Sequence, residues 1–130
     1  MIVLSKKEII FLKSHELCRF ATVSTDCMPH VTPVVYAMDG ENIIIAIDYG
    51  TKKFGNLKQS QKVSLVVDTY RPNAGLMLQG TCQMFEKGAE YMRLVKILFD
   101  RFEFYRKNPW AEGESPILKV VPSKSASWGL

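Results

Sequence analysis

The 130-residue chain is 47% apolar and 23% charged, a composition that fits one compact domain over residues 1–130 with a hydrophobic core. It has no apolar run long enough to cross a bilayer and no signal-peptide layout, so we expect a soluble, cytoplasmic protein without a membrane partner. The net charge of +4 indicates an anionic partner only weakly, while three cysteines without a Cys-x-x-Cys pair and two isolated histidines argue against a disulfide framework or metal site.

The first half of the chain is predicted to form a short helix and a three-stranded meander. Ser5-Lys6-Lys7-Glu8 has the spacing of a capping box, which predicts a helix that runs to about Ser14. Strands are predicted over residues 18–24, 31–38 and 43–47, with turns at 25–27 and 39–42. Pro33 lies inside the second strand, which predicts a sheet edge, a bulge or a place where a ligand meets the backbone.

The second half is predicted to alternate helices and strands. The predicted elements are a helix near 53–59, strands over 63–67, 76–85 and 117–121, and a helix over about 88–106. Gly80 marks a bulge in the long strand, and the aromatic stripe of the last helix is expected to pack in the core. Six short strands with inserted helices predict a mainly β, α+β fold: a small closed or half-closed antiparallel barrel.

Two predicted strands, 43–47 and 63–67, are apolar at successive positions rather than at alternate ones. Such a pattern indicates a strand that is covered on both faces. The sheet of a partner subunit would supply that cover in a dimer, and helices of the same chain are the alternative.

The segment Tyr49-Gly50-Thr51-Lys52-Lys53 stands where a buried strand turns into a helix. Free N–H groups at a helix start attract an anion, and lysines there add charge-assisted hydrogen bonds that suit a phosphate. The alternative is that Thr51 only caps the helix and that both lysines form a solvated face.

Five segments together resemble the FMN-binding split-barrel proteins related to pyridoxamine 5′-phosphate oxidase. The resemblance covers nearly the whole chain and depends on the order and spacing of all five segments. They are RFATVSTD (19–26), PHVTPVV (29–35), YGTKKFGNL (49–57), LQGT (78–81) and PSKSASW (122–128).

The resemblance implies a set of cofactor-binding residues. Thr51, Lys52 and Lys53 match the hydroxyl–basic–basic triplet that holds the flavin phosphate, with lysine where arginine is more usual. Lysine keeps the charge but loses the bidentate fork of arginine. The resemblance also places backbone groups of the second strand along the ring's polar edge and residues of the third strand under the ring or ribityl chain. These residues are Pro33, Val34 and Val35, and Ala46 and Ile47, respectively.

The resemblance further implies a homodimer with the cofactor at the subunit interface. Trp128 matches a tryptophan that reaches the flavin from the partner subunit, and Gly75 and Gln79 lie on the same partner side. The alternative for Trp128 is an aromatic plug at the barrel base. Trp110 has no matched role, and packing in the core or dimer interface competes with a lid over the site.

The oxidases of this family continue past the matched tryptophan with an Arg-x-His segment that grips the substrate phosphate, whereas this sequence reads Gly129-Leu130 there. We therefore expect an FMN-binding oxidoreductase of unknown substrate and not a pyridoxamine phosphate oxidase. A reductase that uses the deazaflavin F420 and a non-enzymatic flavin or electron carrier are the alternatives. No catalytic acid or base is evident, and Ile/Val-rich strands disfavour nucleic-acid binding.

Overall fold

A computed structural model describes residues 2–130. No helix within that range is both long and apolar enough to span a bilayer. The elements are α1 (Lys6–Lys13), β1 (Leu17–Val23), β2 (Pro29–Val35), β3 (Ala37–Asp39), β4 (Asn42–Ala46), α2 (Lys52–Gln59), β5 (Lys62–Thr69), β6 (Ala74–Phe85), α3 (Ala89–Arg101), α4 (Glu103–Lys107) and β7 (Ile117–Trp128).

The strands form one antiparallel sheet in the order β2-β1-β5-β6-β7-β4-β3. Its two end strands, β2 and β3, are separated in the chain by Tyr36 alone. The sheet must therefore curl until its ends approach each other, which produces the split barrel that the sequence predicts. The Tyr36 hydroxyl lies inside and donates to the Leu12 carbonyl at 2.5 Å, which ties the end of α1 to the barrel.

Local sequence signals are confirmed where they were strongest. The capping box begins α1: the Ser5 hydroxyl accepts from the Glu8 N–H at 3.1 Å, and the Glu8 carboxylate accepts from the Ser5 N–H at 2.8 Å. Pro33 does lie in an edge strand, since β2 pairs only with β1. A register shift occurs between Gln79 and Gly80, where a bulge was predicted.

Three predicted boundaries are wrong. The predicted second strand over 31–38 is two strands, β2 and β3, which brings the described strands to seven instead of six. The last strand does not stop at residue 121 but continues to Trp128. Pro122 is tolerated because it pairs opposite Gly80 at the register shift, where the ladder is already irregular. The predicted helix over 88–106 is two helices, because Phe102 takes an extended conformation (φ −115°, ψ 113°) between α3 and α4.

Two apolar clusters lie on opposite faces of β4. Ile43 and Ile45 belong to the cluster inside the barrel, and Ile44 belongs to the cluster under α3. A helix of the same chain, α3, therefore covers the second face of this strand. The strand β5 differs, because Ser64 and Val66 are half-exposed between buried neighbours, so within one chain it is covered on one face only.

The bulge gives a stability prediction. A Cβ atom at Gly80 would lie 2.1 Å from the Val121 carbonyl oxygen, so Gly80→Ala must displace the β6–β7 backbone. We expect a loss of about 1–3 kcal/mol in unfolding free energy, as for other overpacked sites. Gly55→Ala in α2 is the matched control, since a Cβ there meets nothing within 4 Å. It should stabilise the ligand-free protein by about 0.5–1 kcal/mol in urea denaturation. Equal stability of the two variants would contradict this account of the bulge.

Candidate functional site

The helix α2 begins directly after β4, and Thr51 is its N-cap (φ −88°, ψ 156°). The Thr51 hydroxyl donates to the Asp48 carbonyl at 2.8 Å and accepts from the Phe54 N–H at 3.4 Å. The capping role considered from the sequence is thus present. It fixes the direction in which the first helical turn presents its N–H groups and its positive end.

The first turn of α2 carries Lys52 and Lys53 and no acidic residue. Cations at a helix N-terminus oppose the helix dipole, so this placement lowers the stability of the helix unless an anion is bound. Neither lysine forms a salt bridge within residues 2–130. The two ammonium groups diverge: Lys53 donates to the Thr32 hydroxyl at 3.4 Å, whereas Lys52 is exposed.

A cavity of about 410 Å³, which we term the aromatic cavity, lies beside the start of α2. Five residues that the sequence proposed for cofactor binding line it: Val34, Ala46, Ile47, Thr51 and Lys53. The other lining residues are Asp48, Phe104, Tyr105, Asn108, Trp110, Glu114 and Ser115. Its volume lies within the range of about 300–1,000 Å³ that is usual for small-molecule sites.

A second cavity, which we term the polar cavity, lies on the other side of Thr51 and measures about 560 Å³. Lys52 lines this cavity and not the aromatic one. Thr51 lines both, so the helix start separates two spaces that each contain one lysine. The remaining lining residues are Ser24, Thr25, Gly50, Gly55, Asn56 and Gln59.

The other proposed residues of the second strand have different places. Pro33 is exposed on the sheet edge opposite Arg19, and Val35 packs against the cluster under α3. Of the three, only Val34 lines the aromatic cavity. The proposed contacts of Pro33 and Val35 are to their backbone groups, and these remain a prediction.

Gly75, Gln79 and Trp128 lie on the β6–β7 ribbon, and none of them lines the aromatic cavity of the same chain. Gly75 and Trp128 are register partners, and a Cβ at Gly75 would lie 2.2 Å from the indole ring. The indole therefore rests on the glycine. Because 41% of Trp128 is exposed, this side chain is not a buried plug of the barrel.

Sequence reasoning did not place Phe104 and Tyr105 at the site, and for Trp110 it left a lid over the site as an alternative to packing. The helical spacing of Tyr105 indicates an apolar face, but it does not distinguish packing in a core from lining a cavity. Trp110 does both, because its ring contacts those of Phe99 and Tyr105 edge-on, at centroid distances of 4.8 and 5.0 Å, and also lines the aromatic cavity. Burial and the nearby Asp48 carboxylate raise the pKa of Tyr105, which keeps its phenol protonated at neutral pH.

Comparison with known proteins gives a fold and a family. The solved structures that share the fold include a conserved hypothetical protein from Mycobacterium tuberculosis, with a TM-score of 0.80 and 24% identity over 98% of this chain and 86% of that one. They also include the heme storage protein HutZ from Vibrio cholerae, with a TM-score of 0.78 and 15% identity over 98% of this chain and 94% of that one. Another is a protein from Clostridium acetobutylicum related to general stress protein 26 of Bacillus subtilis, of the pyridoxinephosphate oxidase family, with a TM-score of 0.77 and 18% identity over 94% of this chain and 85% of that one. No curated protein gives a significant match. The family model described as pyridoxamine 5′-phosphate oxidase matches residues 6–128. Since that match spans nearly the whole sequence, the chain belongs to the pyridoxamine 5′-phosphate oxidase family.

Proposed function

We propose that the protein is an FMN-binding oxidoreductase that works as a homodimer, with the cofactor at the subunit interface. The observation that carries the proposal is the pair of lysines in the first turn of α2. Lys52 and Lys53 oppose the helix dipole there, and neither forms a salt bridge within residues 2–130. A bound phosphate would turn that unfavourable placement into a favourable one.

The residues of the aromatic cavity fit the two parts of FMN. Lys53 and the start of α2 offer charge and N–H groups to the phosphate, and Val34, Ala46 and Ile47 offer an apolar wall to a ring or ribityl chain. When bound, the flavin supplies hydride or electron transfer, so that the protein needs no nucleophile of its own. The role of these side chains is to bind the cofactor, orient it and restrict the access of water to it.

The proposed dimer is supported by the outer face of the sheet. Val66, Met77 and Ala126 stand side by side on β5, β6 and β7, and each is at least partly exposed. Trp128 continues this face two residues beyond Ala126. An apolar strip on an uncovered sheet face fits the face of a second subunit, and that packing would bring the partner's Trp128 towards the cavity.

The deazaflavin F420 is a second candidate, favoured by the polar cavity. Its longer anionic tail needs space and charge beyond the first phosphate, and the polar cavity with Lys52 offers both beside Thr51. Two basic residues beyond the helix start contact aromatic rings instead. Lys58 lies over the Phe54 ring and Arg71 over the Tyr70 ring, and neither lines the two cavities.

The heme named for the Vibrio cholerae protein fits the aromatic cavity poorly. None of its lining residues is a histidine, cysteine or methionine, the usual ligands of heme iron. Tyr105 is a residue type that binds iron as tyrosinate, but burial raises its pKa and disfavours that form.

The proposal is tested by the visible spectrum of the purified protein and the mass of the chromophore that heat denaturation releases. A two-band flavin spectrum with the mass of FMN is the expected result. A single deazaflavin band would select F420 instead, and a colourless protein is titrated with both cofactors. If the protein binds neither cofactor, the proposal is contradicted. If it binds FMN tightly but turns over no electron donor, it is a flavin carrier and not an enzyme.

A further inference from the structure

A one-way chain of hydrogen bonds connects the loop after α4 to the end of β4. The Trp110 indole N–H donates to the Tyr91 hydroxyl at 3.0 Å, and that hydroxyl donates to the Ser115 carbonyl at 2.8 Å. The Ser115 hydroxyl then donates to the Ile47 carbonyl at 2.6 Å. Each donor has a separate acceptor, so a single arrangement satisfies every group in the chain.

The connection is buried at its centre. Tyr91 on α3 is 0% exposed, and Ser115 is buried as well. A buried hydroxyl that loses its partner costs more than an exposed one, so these bonds hold their geometry firmly. Both ends of the chain, Trp110 and Ile47, line the aromatic cavity, whereas Tyr91 does not.

We propose that Tyr91 is a positioning residue that holds the Trp110 indole as a wall of the cofactor cavity. This inference rests on the proposed function, because it assigns Trp110 to the side of the site that receives the ring of the cofactor. The indole is kept at its place by the Tyr91 hydroxyl and by edge-on contacts with Phe99 and Tyr105. A rigid aromatic wall lowers the entropy that must be lost when a flat ring binds.

The chain provides a matched control for the loss of a buried tyrosine hydroxyl. Tyr36 is also 0% exposed and also donates to a backbone carbonyl, that of Leu12, but it belongs to the cluster inside the barrel and lines neither cavity. Tyr36→Phe and Tyr91→Phe should therefore lower thermal stability alike. Only Tyr91→Phe should disturb the site.

The experiment measures FMN affinity by titration in Tyr91→Phe, Tyr36→Phe, Trp110→Phe and the double variant of Tyr91 and Trp110. We expect Tyr91→Phe to raise the dissociation constant about three- to tenfold, as for loss of a hydrogen bond, and Tyr36→Phe to leave it unchanged. If Tyr91 acts through Trp110, the double variant should bind no more weakly than Trp110→Phe alone. Equal affinities of the two tyrosine variants, or fully additive losses, would overturn the proposal.

A readout without cofactor separates this inference from the proposed function. The sequence has two tryptophans, so Trp128→Phe leaves Trp110 as the sole indole emitter. In that background, Tyr91→Phe should increase quenching of Trp110 by acrylamide, and Tyr36→Phe should not. Failure of the unsubstituted protein to bind FMN would contradict the proposed function. Unchanged quenching of Trp110 in Tyr91→Phe would contradict the positioning role of Tyr91.

Discussion

Replacing both Lys52 and Lys53 by alanine should weaken FMN binding by a factor of roughly 10² to 10⁴. The estimate follows from charge-assisted hydrogen bonds of about 1.5–3 kcal/mol each, which add to about 3–6 kcal/mol for the pair. Titration of flavin fluorescence on the two proteins measures it directly. Unchanged FMN affinity in the double variant would rule out the α2 corner as the phosphate site.

The two single lysine variants should differ in how strongly they weaken FMN binding. Lys53 lies in the aromatic cavity with the apolar wall, whereas Lys52 lines the polar cavity and is exposed. We therefore expect Lys53→Ala to account for the larger share of the loss with FMN, about 3 kcal/mol, and Lys52→Ala for about 1.5 kcal/mol. With F420 the contribution of Lys52 should grow. Lys58→Ala is the control, because it removes the same charge from the last turn of α2 and should leave FMN affinity unchanged.

Removal of both lysines should not destabilise the ligand-free protein, although it weakens FMN binding. Since both lysines oppose the helix dipole, their removal should leave the unfolding free energy of the apoprotein unchanged or raise it slightly. Reduced stability of the apoprotein would mean that the lysines have a structural role, and the loss of affinity would then lose its simple explanation. Urea denaturation with and without FMN separates the two effects.

The features that were predictable from sequence are those set by neighbouring residues. The capping box at Ser5, the cap at Thr51, the edge position of Pro33 and the bulge at Gly80 each follow from the chemistry of a few adjacent residues. Such signals do not depend on how the rest of the chain folds. For the same reason they point to the start of α2, where we propose an anion site, but not to the full wall of the cavity.

The features that were missed depend on contacts between distant segments. The strand β7 continues past Pro122 because β6, some forty residues earlier in the chain, supplies a partner with a bulge at the matching place. Phe104 and Tyr105 line the cavity from α4, which is separate from α3 because Phe102 takes an extended conformation that no adjacent proline or glycine predicts. Helical periodicity alone assigns such aromatics to a core, whichever surface they finally face.

The second large effect concerns Trp128, which the proposed dimer brings to the cofactor of the opposite subunit. Its indole rests on Gly75 at the outer face and is 41% exposed, so one subunit leaves much of the ring uncovered. Trp128→Ala should weaken FMN binding by about 2 kcal/mol, or roughly thirtyfold, as for other aromatic anchors. Light scattering should give twice 14.8 kDa for the unsubstituted protein.

A mixed dimer distinguishes action across the interface from action within a subunit. One protomer carries Lys52→Ala with Lys53→Ala, its partner carries Trp128→Ala, and two different tags allow the mixed dimer to be purified. If Trp128 serves the opposite subunit, one site of this dimer contains all the substitutions and the other contains none. We then expect one FMN per dimer to bind with the affinity of the unsubstituted protein, because the site without substitutions has the same composition as a site of the unsubstituted homodimer.

If Trp128 serves its own subunit instead, each site of the mixed dimer carries one defect and neither site binds normally. The parent homodimers provide the baselines, because both should bind weakly under either arrangement. A monomeric mass together with full FMN binding would rule out a cofactor site at a subunit interface. Restored binding at half the sites is thus an outcome that only a cofactor shared between subunits produces, because weak sites alone do not recover by changing partners.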